Sequence, residues 1–280
     1  MISIENLTKR FGDRIAVAGI DLEIESCEIF GLLGPNGAGK TTTVRILTLL
    51  SKKNSGSVKI CGYDIEKDSE RIKELIGVVP QHMSLDQDLT GRENLVLQAR
   101  LHHLKNKAAM EQRINEILEF VELTDRADDK SRRYSGGMKR RLMIGMALLH
   151  KPKMLFLDEP TVGLDPQVRR KMWDLIRKMN ESGMTVLLTT HYIEEADQLC
   201  RRVAIMNRGR IIAVDTPQKL KEKVGRVVVE HMEADGMINN FFDNREQAAS
   251  YVAGLDSNAT VREANLEDVF IELTGRRVND

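Results

Sequence analysis

The stretch GPNGAGKTT, Gly34–Thr42, decides the fold of this chain of 280 residues. An apolar run, Ile29–Leu33, precedes it, and a second run that includes Val44, Ile46 and Leu47 follows. This order predicts a strand, a glycine-rich loop and a helix, which is the context that a phosphate-binding loop requires. The alternative is a glycine-rich turn between a core strand and a core helix. We favour the phosphate-binding loop because the full pattern G-x-x-x-x-G-K-[ST] is present.

Three glycines of the loop indicate close contact with an anion. Gly34 and Gly39 carry no Cβ, so the backbone can approach a phosphate there. Gly37 adds conformations that other residues reach only with strain. The helix that begins near Lys40 adds free N–H groups and a dipole, and both favour negative charge at that end.

The residues after these glycines predict the ligand. Lys40 places a positive charge beside the outer phosphates. Thr41 places a hydroxyl where it can coordinate the Mg²⁺ that accompanies a nucleoside triphosphate. Thr42 is a further candidate for phosphate contact.

The composition argues against several classes of partner and location. Lysine plus arginine and aspartate plus glutamate both total 42, so no overall field draws the chain to DNA, RNA or an anionic bilayer. Three widely spaced cysteines suit neither a disulfide framework nor a zinc site, which favours a reducing cytoplasm. Apolar runs such as Leu142–Leu149 are far shorter than a membrane span, and no leader-like segment opens the chain, so we expect a soluble protein.

The first part of the chain predicts short strands. Two β-like pieces, Ile2–Leu7 and Ile15–Ile24, are separated by a Phe-Gly-Asp turn and indicate an antiparallel start to a larger sheet. Val58–Cys61 follows the phosphate loop as a further strand. Ile76–Val79 predicts a strand that stops at a proline, so Gln81 is expected at a strand end.

The rest of the chain predicts a helical insertion, a parallel core and an appendage. The pattern is helical from Arg92 to His150. The strands Met154–Leu157 and Thr185–Leu188 flank a helix at Gln167–Met179, and this βαβ unit predicts a parallel sheet. Beyond residue 221 shorter mixed pieces predict a small αβ appendage, at Arg226–Glu230, Arg245–Leu255 and Leu266–Leu273. We therefore expect a large domain at 1–220, with a helical subdomain at about 86–150, and a small accessory domain at 221–280.

The strand Met154–Leu157 ends in two acids, Asp158 and Glu159. Because adjacent side chains of a strand point apart, the two acids should have separate tasks. Asp158 is the candidate for holding Mg²⁺, and Glu159 is the candidate for polarising the water that attacks the γ-phosphate. Acids at a strand end are otherwise usually solvated or helix-capping, but Lys40 and Thr41 upstream favour the catalytic interpretation.

A second candidate anion site lies in YSGGM, Tyr134–Met138. Ser135, Gly136 and Gly137 precede a predicted helix at Met138–His150, and Ser135 is its candidate N-cap. The N-terminus of this helix can bind an anion. The alternative is an ordinary helix cap.

Two basic stretches, Lys130–Arg133 and Lys139–Arg141, flank this second site. They could contact phosphate or a partner. A solvated charged face is an equally good interpretation.

Six motifs occur in an order that resembles the ATPase subunit of ABC transporters. They are GPNGAGKTT, Gln81, YSGGM, MLFLDEP (Met154–Pro160), GLDP (Gly163–Pro166) and His191, and they cover roughly residues 1 to 220. The resemblance implies an α/β fold of the P-loop NTPase, ABC ATPase type. This fold has an antiparallel β subdomain, a RecA-like parallel sheet core and a helical insertion, here followed by the small C-terminal αβ appendage.

The resemblance implies ATP and Mg²⁺ as ligands and assigns residues to them. The implied nucleotide contacts are Phe11, Ala16, Gly34, Pro35, Asn36, Gly37, Ala38, Gly39, Lys40, Thr41, Thr42, Gln81, Ser135, Gly136, Gly137 and Asp165. The implied Mg²⁺ contacts are Thr41, Gln81 and Asp158. The implied catalytic residues are Lys40, Glu159 and His191.

The resemblance also implies two cooperating chains. In the family the serine and glycines of one subunit cap the γ-phosphate held by the loop of the other, so Ser135 and Gly137 inherit that role. One chain offers two anion-binding helix ends but one Lys40 and one acid pair. A head-to-tail homodimer that encloses two ATPs uses both ends, and a heterodimer with a related ATPase is the alternative.

Four single residues receive roles by resemblance, each beside a simpler interpretation. Gln81 contacts Mg²⁺ or water and links the site to the helical insertion, or is a polar turn residue. His191 contacts the γ-phosphate and aligns Glu159, although a lone histidine is usually structural. Asp165 communicates between the paired sites, although Asp-Pro alone indicates a helix start. Phe11 matches an aromatic residue that stacks on adenine and is tyrosine in many relatives.

Two residues depart from the family motif. Tyr134 replaces the usual leucine and Met138 the usual glutamine, and neither change removes Ser135 or Gly137. Methionine at that position, together with LEDVFIELTGR at Leu266–Arg276, resembles the multidrug, daunorubicin-type branch of drug and lipid exporters. In that branch the permease is a separate chain.

The implied function is an ATP-driven motor at the cytoplasmic face of the cell membrane. Two copies close on Mg-ATP, hydrolysis lets them part, and the motion drives export of a hydrophobic drug-like or lipid compound through an integral membrane permease. No nucleic acid partner is expected. One alternative is a soluble ABC-type ATPase that acts on ribosomes or DNA, which the single cassette and the lack of sustained heptads argue against. The other is an importer ATPase, which would share every catalytic residue.

Overall fold

Strands and helices alternate along the chain in a computed structural model that describes residues 1–233, 236–255 and 258–274. The strands of the first part are β1 (Ile2–Phe11), β2 (Arg14–Ile24), β3 (Ile29–Leu33), β4 (Ser55–Ile60), β5 (Tyr63–Asp64), β6 (Ile76–Val79) and β7 (Met154–Asp158). The later strands are β8 (Thr185–Thr190), β9 (Arg202–Asn207), β10 (Arg210–Asp215), β11 (Val227–Glu233), β12 (Gly236–Phe242) and β13 (Ala259–Glu263).

The helices fall between these strands. They are α1 (Lys40–Leu47), α2 (Ser69–Leu75), α3 (Gly91–Leu101), α4 (Lys107–Phe120), α5 (Gly136–Leu148), α6 (Pro166–Glu181), α7 (Ile193–Leu199), α8 (Pro217–Glu222), α9 (Arg245–Val252) and α10 (Leu266–Thr274). Across the described ranges, no helix is both long enough and apolar enough to cross a lipid bilayer.

A six-stranded sheet carries the site, in the order β10-β9-β3-β8-β7-β6. Its pairs from β9 to β6 are parallel, and β10 joins the edge antiparallel to β9. Every residue of β3, β7 and β8 is buried, as expected for parallel strands covered on both faces. The register pairs Leu33 with Thr190 and Asp158 with Thr189, so the carboxyl ends of these strands meet at one edge.

The two faces of this sheet contribute to two apolar clusters. Phe30, Phe156 and Leu187 pack on the side of α1 and the antiparallel sheet. Leu155 and Leu188, from alternate positions of the same strands, pack on the other side with α3 to α6. Each fully buried side chain of this kind contributes about 1.5–3 kcal/mol, so α1 is held firmly between two sheets.

The antiparallel sheet has the strand order β2-β1-β4-β5. The expected hairpin of β1 and β2 is confirmed, with a register that runs from Ile2 opposite Ile24 to Phe11 opposite Arg14. The predicted strand Val58–Cys61 begins earlier, at Ser55, because β4 also pairs with β1 there. This sheet is separate from the parallel sheet, where the sequence indicated one larger sheet.

The helical part between β6 and β7 contains α3, α4, α5 and two short 3-10 turns, Thr124–Arg126 and Ser131–Arg133. Thr90 and Glu93 form a reciprocal capping box at the start of α3. The helix α5 begins at Gly136, two residues before the predicted start, because Ser135 caps it. The predicted helical insertion is therefore present with shifted boundaries.

The C-terminal residues form a small sheet with the order β12-β11-β13. The helix α9 covers one face of the sheet, where Val227, Val229 and Ala248 form a small apolar cluster. Asp268 at the start of α10 accepts two hydrogen bonds from Arg262 of β13, at 2.6 and 2.7 Å. The residues Leu266, Val269 and Phe270 of α10 belong to the large cluster beneath the parallel sheet. The sequence predicted β11, α9 and α10 but neither β12 nor β13, and Gly275 and Arg276 of the C-terminal motif lie outside the described residues.

Two histidine rings stack in the groove between α3 and α5. The rings of His102 and His150 lie 4.0 Å apart at an interplanar angle of 10°. Burial lowers the pKa of both imidazoles, and the charges of His102 and Arg113 lower that of His150 further. The nitrogen Nε2 of His150 lies 2.9 Å from the carbonyl oxygen of Ile76, and its buried Nδ1 has no hydrogen-bond partner within the described part of the chain. Both rings are therefore held in the neutral form near pH 7.

We expect acidification to destabilise the protein partly through this pair. Because their pKa values are lower in the folded than in the unfolded chain, the unfolded chain binds more protons as the pH falls below about 6.5. The contribution of the pair to the free energy of unfolding is fully present above that pH and is lost as the pH falls below it. In His102→Gln the contribution of the pair to this loss, between pH 7.5 and 5.5 in urea unfolding, should fall by roughly half. The exposed His82→Gln should keep the wild-type loss, and an unchanged loss in His102→Gln would contradict the assignment.

Candidate active site

The loop between β3 and α1 folds around the ammonium group of Lys40. Its Nζ donates to the carbonyl oxygens of Gly34 at 2.6 Å and Pro35 at 3.1 Å. The side chain is buried, and burial lowers the pKa of Lys40 while the charges of Glu159 and Asp158 oppose this shift. Among the described residues, the hydrogen-bond acceptors of this ammonium are these two neutral carbonyl groups, and a charged acceptor would bind it more strongly.

The loop glycines are required by neighbouring protein atoms. A Cβ on Gly34 would lie 2.2 Å from the carbonyl oxygen of Met206, and one on Gly39 would lie 2.6 Å from that of Ala16. Gly39 also has a φ of 107° and Gly37 a φ of 81°, in the left-handed region that favours glycine. The sequence predicts close approach of an anion at Gly34 and Gly39, whereas in the structure β9 and β2 fill the space beside these two glycines.

Asp158 ends β7 beside the hydroxyl of Thr41. Its Oδ1 accepts from Thr41 Oγ1 at 3.2 Å and from the buried Thr189. A threonine hydroxyl and a carboxylate at the phosphate end of the loop are the oxygen donors that Mg²⁺ prefers. The residues present fit the metal that the fold implies.

Glu159 has its own partners one residue later. Its Oε2 accepts from Gln81 Nε2 at 2.9 Å, and its Oε1 lies 3.2 Å from His191 Nδ1. Its backbone has a φ of 49°, and its N–H donates to the carbonyl oxygen of Thr189 at 3.1 Å. The two adjacent acids therefore face different groups, Asp158 the loop and Glu159 the pair Gln81 and His191.

One cavity of about 340 Å³ collects most of the predicted nucleotide contacts. Its lining residues are Phe11, Arg14, Ala16, Asn36, Gly37, Gly39, Lys40, Thr41, Thr42, Gln81 and Glu159. His191 and Asp158 adjoin this lining through Glu159 and Thr41. Seven of the predicted contacts do not line it, namely Gly34, Pro35 and Ala38 of the phosphate loop and Ser135, Gly136, Gly137 and Asp165.

Arg14 is a cavity residue that the sequence analysis missed. The hairpin register places it opposite Phe11, a residue that is 56% exposed and has Lys9 Nζ 4.8 Å from the centre of its ring. Its Nη2 would lie 3.4 Å from a Cβ on Gly37, so the guanidinium reaches the phosphate loop. The position of Arg14 directly after the Phe-Gly-Asp turn, close to Phe11, could have indicated that it belongs to the cavity.

The start of α5 presents a capped helix end to solvent. Ser135 Oγ accepts from the N–H of Met138 at 3.3 Å, which confirms the predicted N-cap. Ser135 and Gly136 are exposed, whereas Gly137 is buried against Val168 of α6. Gly137 therefore belongs to the contact between α5 and α6, and only its backbone can serve an anion.

Asp165 caps the following helix. Its Oδ1 accepts from the N–H of Val168 at 2.9 Å, and Pro166 occupies the first turn of α6. The helix-start interpretation of Asp-Pro therefore holds within one chain. The role of Asp165 in communication between the paired sites of two chains stays a prediction.

Tyr134, which replaces the usual leucine of the family motif, contacts Arg126 and Gly91. Its hydroxyl donates to the carbonyl oxygen of Arg126 at 2.6 Å. A Cβ on Gly91 would lie 2.2 Å from that hydroxyl, so glycine at the start of α3 makes room for the ring. Tyrosine thus fixes the loop before YSGGM to α3.

Arg140 lies in the interior and not on a charged surface. It belongs to the basic stretch Lys139–Arg141, interpreted as facing phosphate, a partner or solvent, but it is only 3% exposed. Its guanidinium donates to main-chain carbonyl oxygens beside the catalytic residues, those of Pro80, Gln81 and Glu159. Helical spacing indicates the burial of Arg140, because the apolar residues Met143 and Ala147 follow on the same face of α5.

Comparison with known proteins gives consistent results over the whole chain. The sequence profile of the family described as "ABC transporter" matches residues 17–162. The linearmycin resistance ATP-binding protein of Bacillus subtilis (strain 168) is 38% identical over 100% of both chains. The daunorubicin resistance ATP-binding protein of Streptomyces coeruleorubidus is 39% identical, over 100% of this chain and 98% of that one. The Nod factor export ATP-binding protein I of Burkholderia lata is also 39% identical, again over 100% of this chain and 98% of that one.

Two solved structures support the fold. An ATP-binding subunit of an ABC transporter matches with a TM-score of 0.74 at 24% identity, over 98% of this chain and 99% of that one. A dimeric ATP-binding cassette, solved in a post-hydrolysis state with ADP and Pi, matches with a TM-score of 0.69 at 28% identity. That match covers 77% of this chain and 98% of the other. The predicted fold class is confirmed.

The contact between α5 and α6 predicts different effects of alanine at the two adjacent glycines. A Cβ on Gly137 would lie 2.3 Å from Cγ1 of Val168, whereas one on Gly136 would lie 3.7 Å from the nearest atom, in Leu164. Gly137→Ala should lower the free energy of unfolding by about 1–3 kcal/mol, as overpacked cores do. Gly136→Ala should change it by less than about 1 kcal/mol. Urea unfolding without nucleotide measures both, and equal stability of the two variants would contradict the close contact.

Proposed function

The chain belongs to the ABC transporter family of ATP-binding proteins and is an ATPase, and we propose that it drives export of a hydrophobic drug-like or lipid compound through a separate membrane permease. The observation that carries the ATP-driven part of this proposal is the cavity in which the phosphate loop, Thr41, Gln81 and Glu159 meet. The names of the relatives, two resistance proteins and one export protein, support export. We further propose that the chain acts at the cytoplasmic face of the membrane, with residues 1–220 as the ATPase domain and 221–280 as an accessory domain.

Binding begins at the loop. The ammonium of Lys40 exchanges the carbonyl oxygens of Gly34 and Pro35 for phosphate oxygens, because a charged acceptor forms the stronger bond. The N-terminus of α1 and the guanidinium of Arg14 add positive potential to the same side of the cavity. The exposed ring of Phe11 is placed to stack on the adenine, at about 0.5–1.5 kcal/mol.

Thr41, Asp158 and Gln81 are the residues proposed to hold Mg²⁺. The hydroxyl of Thr41 and the Oδ1 of Asp158 already adjoin each other at 3.2 Å. Thr189 bonds to the same carboxylate and keeps it turned toward the loop. Bound Mg²⁺ would neutralise charge on the phosphate oxygens during transfer.

Glu159 is the proposed general base. Gln81 and His191 each contact one oxygen of its carboxylate, which fixes the plane of the group. Each carboxylate oxygen has a second lone pair, so a water in the cavity can still donate to Glu159. The carboxylate then takes the proton of that water as it attacks the γ-phosphate.

A second copy of the chain is proposed to complete each site. Ser135 and Gly136 are exposed at the start of α5 and do not line the cavity of their own chain. Their helix end favours an anion, so it can serve the nucleotide of a facing chain. The dimeric relative solved with ADP and Pi supports this arrangement, as a homodimer or as a pair with a related ATPase.

A groove beside the site is the proposed contact for the permease. It lies between α3, α5 and β6, has a volume of about 450 Å³ and includes Pro80 and Ser84 on either side of the Gln81 loop. Met83, Leu97 and Leu101, which adjoin its lining residues Ser84, Gln98 and His102 in sequence, are 46%, 44% and 65% exposed. Exposed apolar side chains of this kind fit a protein partner better than solvent.

Replacement of Glu159 tests the chemistry. Glu159→Gln should reduce ATP turnover by about a hundredfold or more, within the range of general-base catalysis, and should retain ATP. Steady-state phosphate release and nucleotide binding measure the two effects. Near-normal hydrolysis would remove Glu159 from the role of base.

The same Glu159→Gln protein identifies the partner. Trapped with Mg-ATP in its own host and purified from solubilised membranes, it should retain a multi-span protein, which mass spectrometry would name as the permease. Ribosomal or DNA-bound proteins without a multi-span protein would instead support a soluble ABC-type ATPase. A copurified solute-binding protein would support an importer.

Replacement of Ser135 tests the dimer. Ser135→Arg in the Glu159→Gln background should abolish ATP-dependent dimerisation in analytical ultracentrifugation, because the added side chain blocks the exposed end of α5. Binding of ATP to the monomer should persist, since Ser135 does not line that cavity. Ser250→Arg adds the same charge at an exposed serine of α9 and should leave the dimer intact. Full-strength dimers in Ser135→Arg would refute the shared site.

A further inference from the structure

Arg140 is a buried cation without a carboxylate partner among the described ion pairs. Its Nη1 donates to the carbonyl oxygen of Pro80 at 2.6 Å. Its Nη2 donates to those of Gln81 at 3.2 Å and Glu159 at 3.1 Å. Burial lowers the pKa of the guanidinium, and nearby carboxylates oppose this shift. Burying a charged group among neutral acceptors costs free energy. Stabilisation of the fold therefore does not by itself explain why Arg140 lies there.

The three acceptors belong to the two segments that carry the reacting side chains. Pro80 and Gln81 follow β6, and Glu159 follows β7. Arg140 holds these segments by their main chains, while Gln81 and Glu159 join by their side chains at 2.9 Å. The planar fork of a guanidinium can bridge several acceptors at fixed angles, which a lysine ammonium cannot do.

The backbone of Glu159 needs such support. Its φ of 49° lies in the left-handed region, which costs a residue with a side chain roughly 1–3 kcal/mol and persists only where neighbours enforce it. Thr189 accepts from the N–H of Glu159, and Arg140 donates to its carbonyl oxygen. The peptide groups on both sides of the glutamate are therefore fixed, one by β8 and the other by α5.

We propose that Arg140 is a positioning residue that sets the orientation of Glu159 and Gln81 according to the position of α5. This proposal rests on the proposed role of Glu159 as the base. The helix α5 carries Ser135 at its start, and Met143 and Ala147 on the face of Arg140 line the groove beside β6. A movement of α5 relative to the parallel sheet therefore changes the three bonds of Arg140 together and moves the carboxylate.

Arg141 provides a matched control on the next position of the same helix. Its Nη1 donates to the carbonyl oxygens of Val121 and Glu122 and to the carboxylate of Glu122. These contacts tie α5 to the end of α4, away from the cavity. A change at Arg141 thus removes a comparable set of main-chain bonds without touching the site.

The first test separates catalysis from binding. Arg140→Lys should lower kcat for ATP about tenfold or more, since misplacement by 1 Å can cost a hundredfold. The KM for ATP should stay within about threefold, because no loop contact is lost. Arg141→Lys should keep kcat within about twofold of the wild type. Equal losses of kcat in the two variants, or a loss in KM alone, would overturn the proposal.

The second test asks whether Arg140 acts through Glu159. Combined with Glu159→Gln, Arg140→Lys should reduce the residual hydrolysis no further, because Arg140 orients Gln81 for its bond to the same carboxylate, which is already lost. Losses that multiply in the double variant would overturn the proposal. A nearly normal Glu159→Gln single variant would instead reject the general base of the proposed function. If Arg140→Lys is not recovered as folded protein, Arg140→Gln, which retains an amide donor, is measured by the same two comparisons.

Discussion

Parallel pairing of β3, β7 and β8 is the constraint on which the arrangement of the site depends. Leu33 at the end of β3 pairs with Thr190, and Asp158 at the end of β7 pairs with Thr189. A shift of one residue in either pair would turn every side chain of a strand to the opposite face. Since all three strands are buried on both faces, that shift would disrupt both apolar clusters. Core burial therefore sets the distance between the phosphate loop and the two acids.

Buried polar groups then fix the orientations of the two acids, which strand pairing alone does not determine. Thr189 bonds through its hydroxyl to Asp158 and through its carbonyl oxygen to the N–H of Glu159. Arg140 completes the support of Glu159 from the helical side. Such groups are expensive to bury unless their hydrogen bonds are made. These bonds therefore hold the two acids in place, from β8 on one side and from α5 on the other.

The sequence predicted the features of the site that depend on residues adjacent in the chain. It missed the contacts between residues that are far apart in the chain. The loop residues up to Thr41 are contiguous, and strand ends of a parallel sheet necessarily share an edge, so the loop and the acids could be predicted. Arg140 contacts Pro80 across 60 residues, and its place in a basic run hid its burial. Thr189 lies inside a strand where threonine is an ordinary strand former. The strand β12 was missed because Asn239 and Asn240 interrupt its alternation, and pairing with β11 supplies what the local pattern lacks.

The helix α10 completes a cluster that begins more than a hundred residues earlier. Val269 and Phe270 are buried among side chains of the parallel sheet and the helices beneath it, including Leu220 of α8. During synthesis the ribosome adds 50 residues between Leu220 and Phe270, which takes between about 2 and 10 s at roughly 5–20 residues per second. For that interval the nascent ATPase carries an apolar gap where α10 will lie. Chaperones have access to that gap until α10 is made, and a premature stop codon before α10 would leave it permanently open.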